Sequence, residues 1–499
     1  MAIVSVSDAS ELKKALDSAS RGDKIVLDPG NYGTLSLNGS SRKADYKFDD
    51  ITITSKSGSK PAVFSEVNLA NVTNVTFDGI RFEADGGNGK PFLFNKTTGI
   101  SILNSEIEGR TSGGYGTGHG LWVIESADFR LENSEIRDFA TGAHFRSVDD
   151  LEVVDNSLSG ISYDGMLLAR IDGVLIEGNR IEMNGKAGTA HRDMIQFWNR
   201  DSNHPSEDIV IRDNTLIAGE TVTHGIYIAN DVAHRGGGLD SFYSDVVIEN
   251  NTIKSGQVMG ILVGQTADLT IRGNTVLQHA AVDSTRPVDI PVIRVEDSSR
   301  DVSITGNVTH RTPEAVSSGN NWQSEGKSSP GGWTISGNRI VALGTDADTG
   351  SSKGGSVAKP AAPAAPEAPA TPDDGAEGNG KADNFRFLGS KVDGKTSVTF
   401  QGVDFGEGDR ILLQDFDKGT FLDFAGGSGN KVLNNAAKTY VRIDSLTDIQ
   451  EIVTASKELS ASFQKDVLQL KIAQDDGTLT ISLPGLADDY KSTFDDSLF

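Results

Sequence analysis

Six short segments share one pattern, a glycine or aspartate followed by alternating apolar residues: HGLWVI from His119, TGAHFRS from Thr141, DGMLLAR from Asp164, RDMIQFW from Arg192, HGIYIAN from His224 and MGILVGQ from Met259. Laid over one another on that shared Gly or Asp, they put His119, Thr141, Asp164, Arg192, His224 and Met259 in one column. Trp122, His144, Leu167, Ile195, Tyr227 and Leu262 form a second. Side chains of an extended chain alternate, so both columns face outward when Leu121, Ala143, Met166, Met194, Ile226 and Ile261 face inward. Val123, Phe145, Leu168, Ile228 and Val263 make a further inward column, with Gln196 as its polar member. If successive segments are strands of neighbouring coils about 4.8 Å apart, then His119, His144, Arg146, Tyr163, Asp164, His191, Arg192, Asp193, His224 and Tyr227 share one face. All eight histidines lie between His119 and His310.

Aromatic faces stack on sugar rings, arginines hold carboxylates with forked hydrogen bonds, and His or Tyr moves protons near neutral pH. Asp164, His191, Arg192, Asp193, His144 and Tyr163 are therefore the candidates for catalysis. Trp122, His119, Arg146, Arg170, His224 and Tyr227 are the candidates for substrate binding, and no metal ligand is assigned. A merely solvated polar ladder is the plainer reading of any one of these residues; the convergence of the set on one face favours a site.

A lyase or epimerase acting on a uronate must neutralise the carboxylate, remove the C5 proton, and give a proton to the leaving oxygen or to the opposite face of the ring. Arg146, Arg170 and Arg192 suit the first task, His144 or His191 the second, Tyr163 or His119 the third. A glycoside hydrolase needs two carboxyl groups instead, roughly 6.5 to 9.5 Å apart for inversion and about 5 Å for retention. Asp164 and Asp193, at nearly equivalent positions of adjacent coils, are compatible with either. The chain has 46 Lys+Arg against 70 Asp+Glu, a net charge of −24, and yet this face carries more His and Arg than carboxylate. That balance favours β-elimination of an acidic, uronate-containing polysaccharide. An endo-glycanase with paired Asp is the runner-up, followed by a uronan C5-epimerase and by a non-catalytic exopolysaccharide-binding adhesin, which predicts no titratable cluster. None of these steps requires a cofactor, and Ca2+ is an option.

The elements that must hold this face repeat along the chain. A unit of alternating apolar residues ending in a turn and Asn recurs at Asn104, Asn133, Asn156, Asn179, Asn214, Asn251, Asn274, Asn307 and Asn338, with a basal step of 23 residues (133 to 156, 156 to 179) and longer insertions elsewhere. The strand period of two and the absence of a competing helical period predict stacked three-strand coils, a right-handed parallel β-helix. Asn at one corner suits a tight left-handed turn, and its amide can bond to the Asn of the next coil. SDASELKKAL at 7–16 predicts a helix, capped by Ser or Asp, that covers the open N-terminal end of the stack. The expected organisation is all-β: a β-helix catalytic domain at 1–346, a Pro/Ala/Gly-rich linker at 347–382 with prolines at 360, 363, 366, 369 and 372, and a smaller mainly-β module at 383–499 with one helix in SLTDIQEIVTAS.

Composition excludes several classes. A strongly acidic chain without Lys/Arg clusters does not suit nucleic acid or an anionic membrane. The absence of cysteine rules out a disulfide framework and a thiolate nucleophile. No run of about 18 apolar residues is present to span a bilayer, and MAIVSVSDASELKKAL lacks the order of a signal peptide.

The segment SYDGMLLARIDGVLIEGNRIEMNG with the following HRDMIQFWN coil resembles the catalytic modules of bacterial mannuronan C5-epimerases and related β-helix polysaccharide lyases. In that family an Asp-Gly opens one coil and an Arg-His-Gly the next. The resemblance implies a catalytic role for Asp164 and matches His191-Arg192 to the Arg-His pair in reversed order. One coil earlier the family's Tyr-Gly-Phe-Asp-Pro-His aligns with Thr141-Gly142-Ala143-His144-Phe145-Arg146, so its Tyr, Asp and His are replaced by Thr, His and Arg. DFGEGDRILLQDFDKGTF and DDGTLTISLPGL resemble C-terminal regions of exported rhizobial exopolysaccharide glycanases. That likeness implies type I secretion, ending on DDSLF, and an extracellular protein without a cleavable N-terminal signal peptide. GGSGNKVLN at 426–434 is at best one degenerate calcium-binding nonapeptide. The same module, on a stiff linker, is equally suited to binding polysaccharide.

Overall fold

The computed structural model describes residues 2–343, apart from 41–45, 87–88, 187–190, 203, 220–221, 280–288 and 317–331, and discontinuous stretches between 384 and 490. The chain divides into two compact units, Met1–Ser352 and Lys353–Phe499. The expected linker at 347–382 and the glycine-rich part of 426–434 lie outside the described residues.

In the first unit, parallel strands from Ile3 to Ile340 join in a 31-stranded sheet that winds as a β-helix. Alternation dictates it. Leu121, Ala143 and Met166 stand in register on successive coils, as do Ile195, Ile226 and Ile261 on the next three. All of these side chains are fully buried. Val123, Phe145, Leu168, Phe197, Ile228, Val263 and Val295 make the second inward column, also fully buried. Each contributes roughly 1.5 to 3 kcal/mol of burial, which is what closes the coils around one continuous core.

The expected helix runs over Ala9–Asp17. Asp8 is its cap, accepting hydrogen bonds from the backbone N–H groups of Ser10 and Glu11. Leu12 and Leu16 are buried against the first coil, so the apolar face of the helix covers the end of the stack.

The corner turn divides between two neighbouring residues the work expected of asparagine alone. Asp155, Gly178, Asp213, Asn250 and Gly273 take the left-handed conformation, with φ between 53° and 65°. The residue after each of them builds a buried amide ladder. Asn156 Nδ2 donates to Asn179 Oδ1 at 3.0 Å, and the same contact continues through Asn214, Asn251, Asn274, Asn307 and Asn338. Asn104 and Asn133 sit at the same corner but one position earlier, in the left-handed column at φ 51° and 47°. There Ser105 and Ser134 take the ladder position, with Ser134 Oγ accepting from the Ser105 N–H. The stacking expected of Asn104, Asn133, Asn156 and Asn179 is thus corrected to two adjacent columns.

Asn179 Oδ1 accepts from both the backbone and the side chain of Asn156, while its Nδ2 donates to the Val153 carbonyl. Asn179→Ala strands these groups inside the protein and is expected to cost about 2 to 4 kcal/mol, read as a lowered denaturant midpoint.

Among the described residues, the second unit contains two four-stranded sheets. Gly394–Thr399, Gly477–Pro484, Val467–Gln474 and Leu459–Gln464 form one, and Asn384–Leu388, Arg410–Asp417, Lys438–Ile443 and Val432–Asn434 the other. Leu468, Leu470, Ile472, Leu479, Ile481 and Ile449 are buried in its core. Leu446, Ile449, Gln450 and Val453, within the expected helix, are helical.

Candidate active site

The strands His119–Glu132, Thr141–Val154, Met166–Glu177, Asp193–Asn199 and His224–Asn230 carry the face singled out by the sequence. Their register corrects one segment. Met166 pairs with Ile195 and Leu168 with Phe197, so the Asp193 strand is shifted by one residue from the Gly/Asp superposition. Asp193, not Arg192, continues the column between Asp164 and His224. Gln196 moves outward between Leu167 and Tyr227. A slip of one residue exchanges the two faces of a strand, and Ile195 with Phe197 inward buries apolar surface where Gln196 would not. Met194 occupies the glycine position instead. A Cβ on Gly165 would lie 2.3 Å from the Met194 carbonyl oxygen, so only glycine fits above it.

Asp164 and Asp193 are therefore stacked on adjacent coils, 1 % and 0 % exposed. Asp164 Oδ1 accepts the Asp193 backbone N–H at 3.1 Å. Asp193 Oδ2 accepts from His191 Nδ1 at 2.9 Å and from Gln196 Nε2 at 2.6 Å. Its Oδ1 is buried without a hydrogen-bond partner. Burial, then the Asp193 charge, pushes the Asp164 carboxyl well above the usual carboxylate range. Burial also raises Asp193, against the opposing hydrogen bond and charge of His191. Burial alone would lower His191, but the Asp193 hydrogen bond and charge and the Asp164 charge outweigh it, and its pKa rises above the ordinary 6.5. The His191 side chain is 45 % exposed. It is the solvent-facing end of a buried Asp–His pair.

Tyr163, 40 % exposed, stands beside these groups; burial and the charges of Asp164 and Asp193 raise its pKa. The His191 ring lies 4.6 Å from His224 and 4.9 Å, edge-on, from Tyr227. Burial and the neighbouring His191 charge lower His224 to about 3, so it is neutral at ordinary pH. Arg192, 2 % exposed, donates to the Ile161 carbonyl at 2.7 Å, and burial lowers it to about 10, opposed by the Asp164 charge. Its guanidinium thus belongs to the wall behind Asp164.

Two coil steps from Asp164 and three from Asp193, roughly 10 and 14 Å at the usual spacing, a second cluster forms around Trp122. His119 and His144 lie 4.5 and 4.1 Å from its ring, and Lys90 Nζ sits 3.4 Å from the ring centroid. Burial lowers both imidazoles to about 4, helped for His144 by the charges of His119, Lys90 and Arg146. Past Tyr227 the outward residues Met259 and Leu262 are buried with Val316 in an apolar cluster that interrupts the polar face, and the column resumes with the ion-paired Arg294 and Glu314.

The structure thus brings His191, Asp193, Asp164, Tyr163, His224 and Tyr227 together, gathers His119, Trp122 and His144 apart from them, and places Arg146 and Arg170 on Asp201. Arg170 Nη2 is 2.8 Å and Arg146 Nη2 4.0 Å from that carboxylate. Lys90 and Asp201 were missed. Both precede or follow apolar strands in segments without periodicity, so only three-dimensional proximity finds them. Gln196 had a signal, since a polar side chain in an inward column costs burial energy.

Among the described residues, one group could hold a metal: donor atoms of His191, Asp193 and His224 lie within 4.8 Å of one another. Two imidazoles and a carboxylate suit a zinc-class ion; calcium takes six to eight oxygens. Here the His191 and Asp193 donor atoms are engaged with each other.

No helix among the described residues is long and apolar enough to cross a membrane. Residues 30–193 and 92–234 match the family model described as right handed beta helix region. No curated protein matches the chain. Similar solved structures include the A-module of the mannuronan C-5 epimerase AlgE6 of Azotobacter vinelandii, at 14% identity and TM-score 0.44 over 67% of this chain and 95% of that one. PfbA, a surface adhesin of Streptococcus pneumoniae, aligns at 12% identity and TM-score 0.40 over 62% and 83%. An alginate lyase from Paenibacillus sp. str. FPU-7 aligns at 17% identity and TM-score 0.28 over 68% and 99%. The first unit of this chain is a right-handed parallel β-helix with an outward face of imidazoles, carboxyls and aromatic rings.

Proposed function

We propose that the chain depolymerises an acidic, uronate-containing polysaccharide by β-elimination on this face. The observation that carries the reading is the exposed His191 imidazole backed by the buried Asp193 carboxylate, beside the exposed phenol of Tyr163. Neutral His191 removes the C5 proton. Tyr163, whose raised pKa keeps it protonated, gives its proton to the leaving oxygen. Asp164, buried beside them, positions the Asp193 strand by accepting its backbone N–H. The Trp122 cluster, with Lys90 over the indole ring, holds a neighbouring acidic sugar.

A retaining hydrolase is the second reading, favoured by the stacking of Asp164 and Asp193 one coil apart. It requires a carboxylate oxygen in reach of the anomeric carbon, and these two carboxyls are buried while His191 and Tyr163 are not. Incubation with a panel of acidic polysaccharides separates the cases. Unsaturated-uronate absorbance rising with reducing ends supports elimination. Reducing ends alone mean hydrolysis, exchange of the C5 proton without either means epimerisation, and no change in any signal leaves a binding protein.

The proton-transfer roles need no metal. Prolonged chelation is expected to leave turnover unchanged; a loss restored by zinc but not calcium would instead make His191, Asp193 and His224 ligands. The C-terminal unit is proposed to serve export by type I secretion machinery or attachment to the polymer outside the cell.

A further inference from the structure

Arg146 and Arg170, on successive coils, both close on Asp201 in the loop after the Asp193–Asn199 strand. The Asp201 side chain is 64 % exposed, and the arginine side chains are 49 % and 35 % exposed. Beside them is Trp198, 37 % exposed, with the Arg200 guanidinium 5.5 Å from its ring centroid. Arg235 donates to the Arg200 carbonyl and ties the loop to the next coil. Trp198 pairs with Ala229, and continuing the Leu168–Phe197 register sets Ala169 on its other side. Neither alanine can cover the indole. In a chain of net charge −24, Arg146, Arg170 and Arg200 thus gather beside an open aromatic ring.

We propose that Arg146, Arg170, Trp198 and Arg200 form a separate subsite for a carboxylated sugar ring, and that Asp201 is an internal carboxylate which the substrate's carboxylate displaces. Guanidinium forks match a carboxylate, and Asp201 already occupies the position such a ligand takes. The Trp198 ring supplies the stacking surface. An exposed ion pair is held weakly, so exchange of one carboxylate for another costs little. Trp198 lies five residues beyond Asp193 on one strand, roughly 16 Å at strand rise, so the subsite is distinct from the proton-transfer groups. The inference rests on the acidic-polysaccharide reading for its ligand class.

The test is retardation of the full chain in native gels containing alginate or polygalacturonate, with dextran as neutral control. Asp201→Asn is expected to tighten binding to an acidic gel about three- to fivefold, the range an exposed ion pair returns. Trp198→Ala is expected to weaken it about five- to tenfold. Asp49→Asn makes the same charge change by breaking the exposed Arg21–Asp49 pair, 3.3 Å apart, and is expected to leave binding unaltered. No retardation in either acidic gel overturns the subsite. So does an Asp201→Asn effect no larger than that of Asp49→Asn, or unchanged binding by Trp198→Ala. Binding is read without turnover. A chain whose binding tightens but which forms no product removes the reaction and keeps the subsite, whereas product formation with Asp201→Asn binding like wild type removes the subsite and keeps the reaction.

Discussion

His191→Ala lowers kcat on an acidic polysaccharide by about 10² to 10⁴, the worth of a positioned proton-transfer group, and also lowers stability, because the buried Asp193 carboxyl loses its imidazole partner and keeps only the Gln196 hydrogen bond. The pH profile carries the sharper part of this expectation. His191 acts as a base only when neutral, and the Asp193 and Asp164 charges raise its pKa above 6.5. Activity therefore rises with pH through that raised value. Asp193→Asn removes the largest of the raising influences, so the rising limb moves to lower pH while the plateau falls, since the imidazole loses its 2.9 Å anchor. A limb that stays in place, or moves upward, takes His191 out of the base role. Full turnover in His191→Ala would move the chemistry to another part of the face.

Phe197→Ala is the second large effect. In the observed register Phe197 is fully buried in the inward column, and truncation is expected to cost about 3 to 5 kcal/mol, measured by denaturant unfolding. Gln196→Ala removes one hydrogen bond to Asp193 and is expected to cost about 1 kcal/mol. The register read from the Gly/Asp superposition predicts the reverse order for these neighbours, so the pair discriminates the two placements directly.

That superposition shows how far the residues alone lead. Alternation and the recurring Asn gave the β-helix, the corner and the inward columns of five of the six strands, because burial energy acts on every coil alike. The sixth slipped because a shared Gly or Asp was used as the anchor where Met194 takes the glycine position; the period-two pattern of Ile195 and Phe197 was the stronger signal. At the corner, type alone did not separate Asn104 and Asn133 from Asn156 and Asn179, since asparagine tolerates the left-handed turn as well as the ladder position. Within the site, the pairing of His191 with Asp193 and the burial of Arg192 depend on that one-residue slip. The contacts of Lys90 and Asp201 depend on the paths of loops, which follow no period.

The amide ladder bears on how such a chain tolerates change. From Asn156 to Asn179 the contour is 23 residues, from Asn179 to Asn214 it is 35, and from Asn214 to Asn251 it is 37, yet the amide contact is 3.0, 3.0 and 2.9 Å. Vertical spacing is thus decoupled from the amount of sequence spent per coil. Excursions can lengthen, shorten or be exchanged between coils while the scaffold keeps its pitch, which makes the loop that bears Asp201 a natural place to graft a different selectivity without rebuilding the spine.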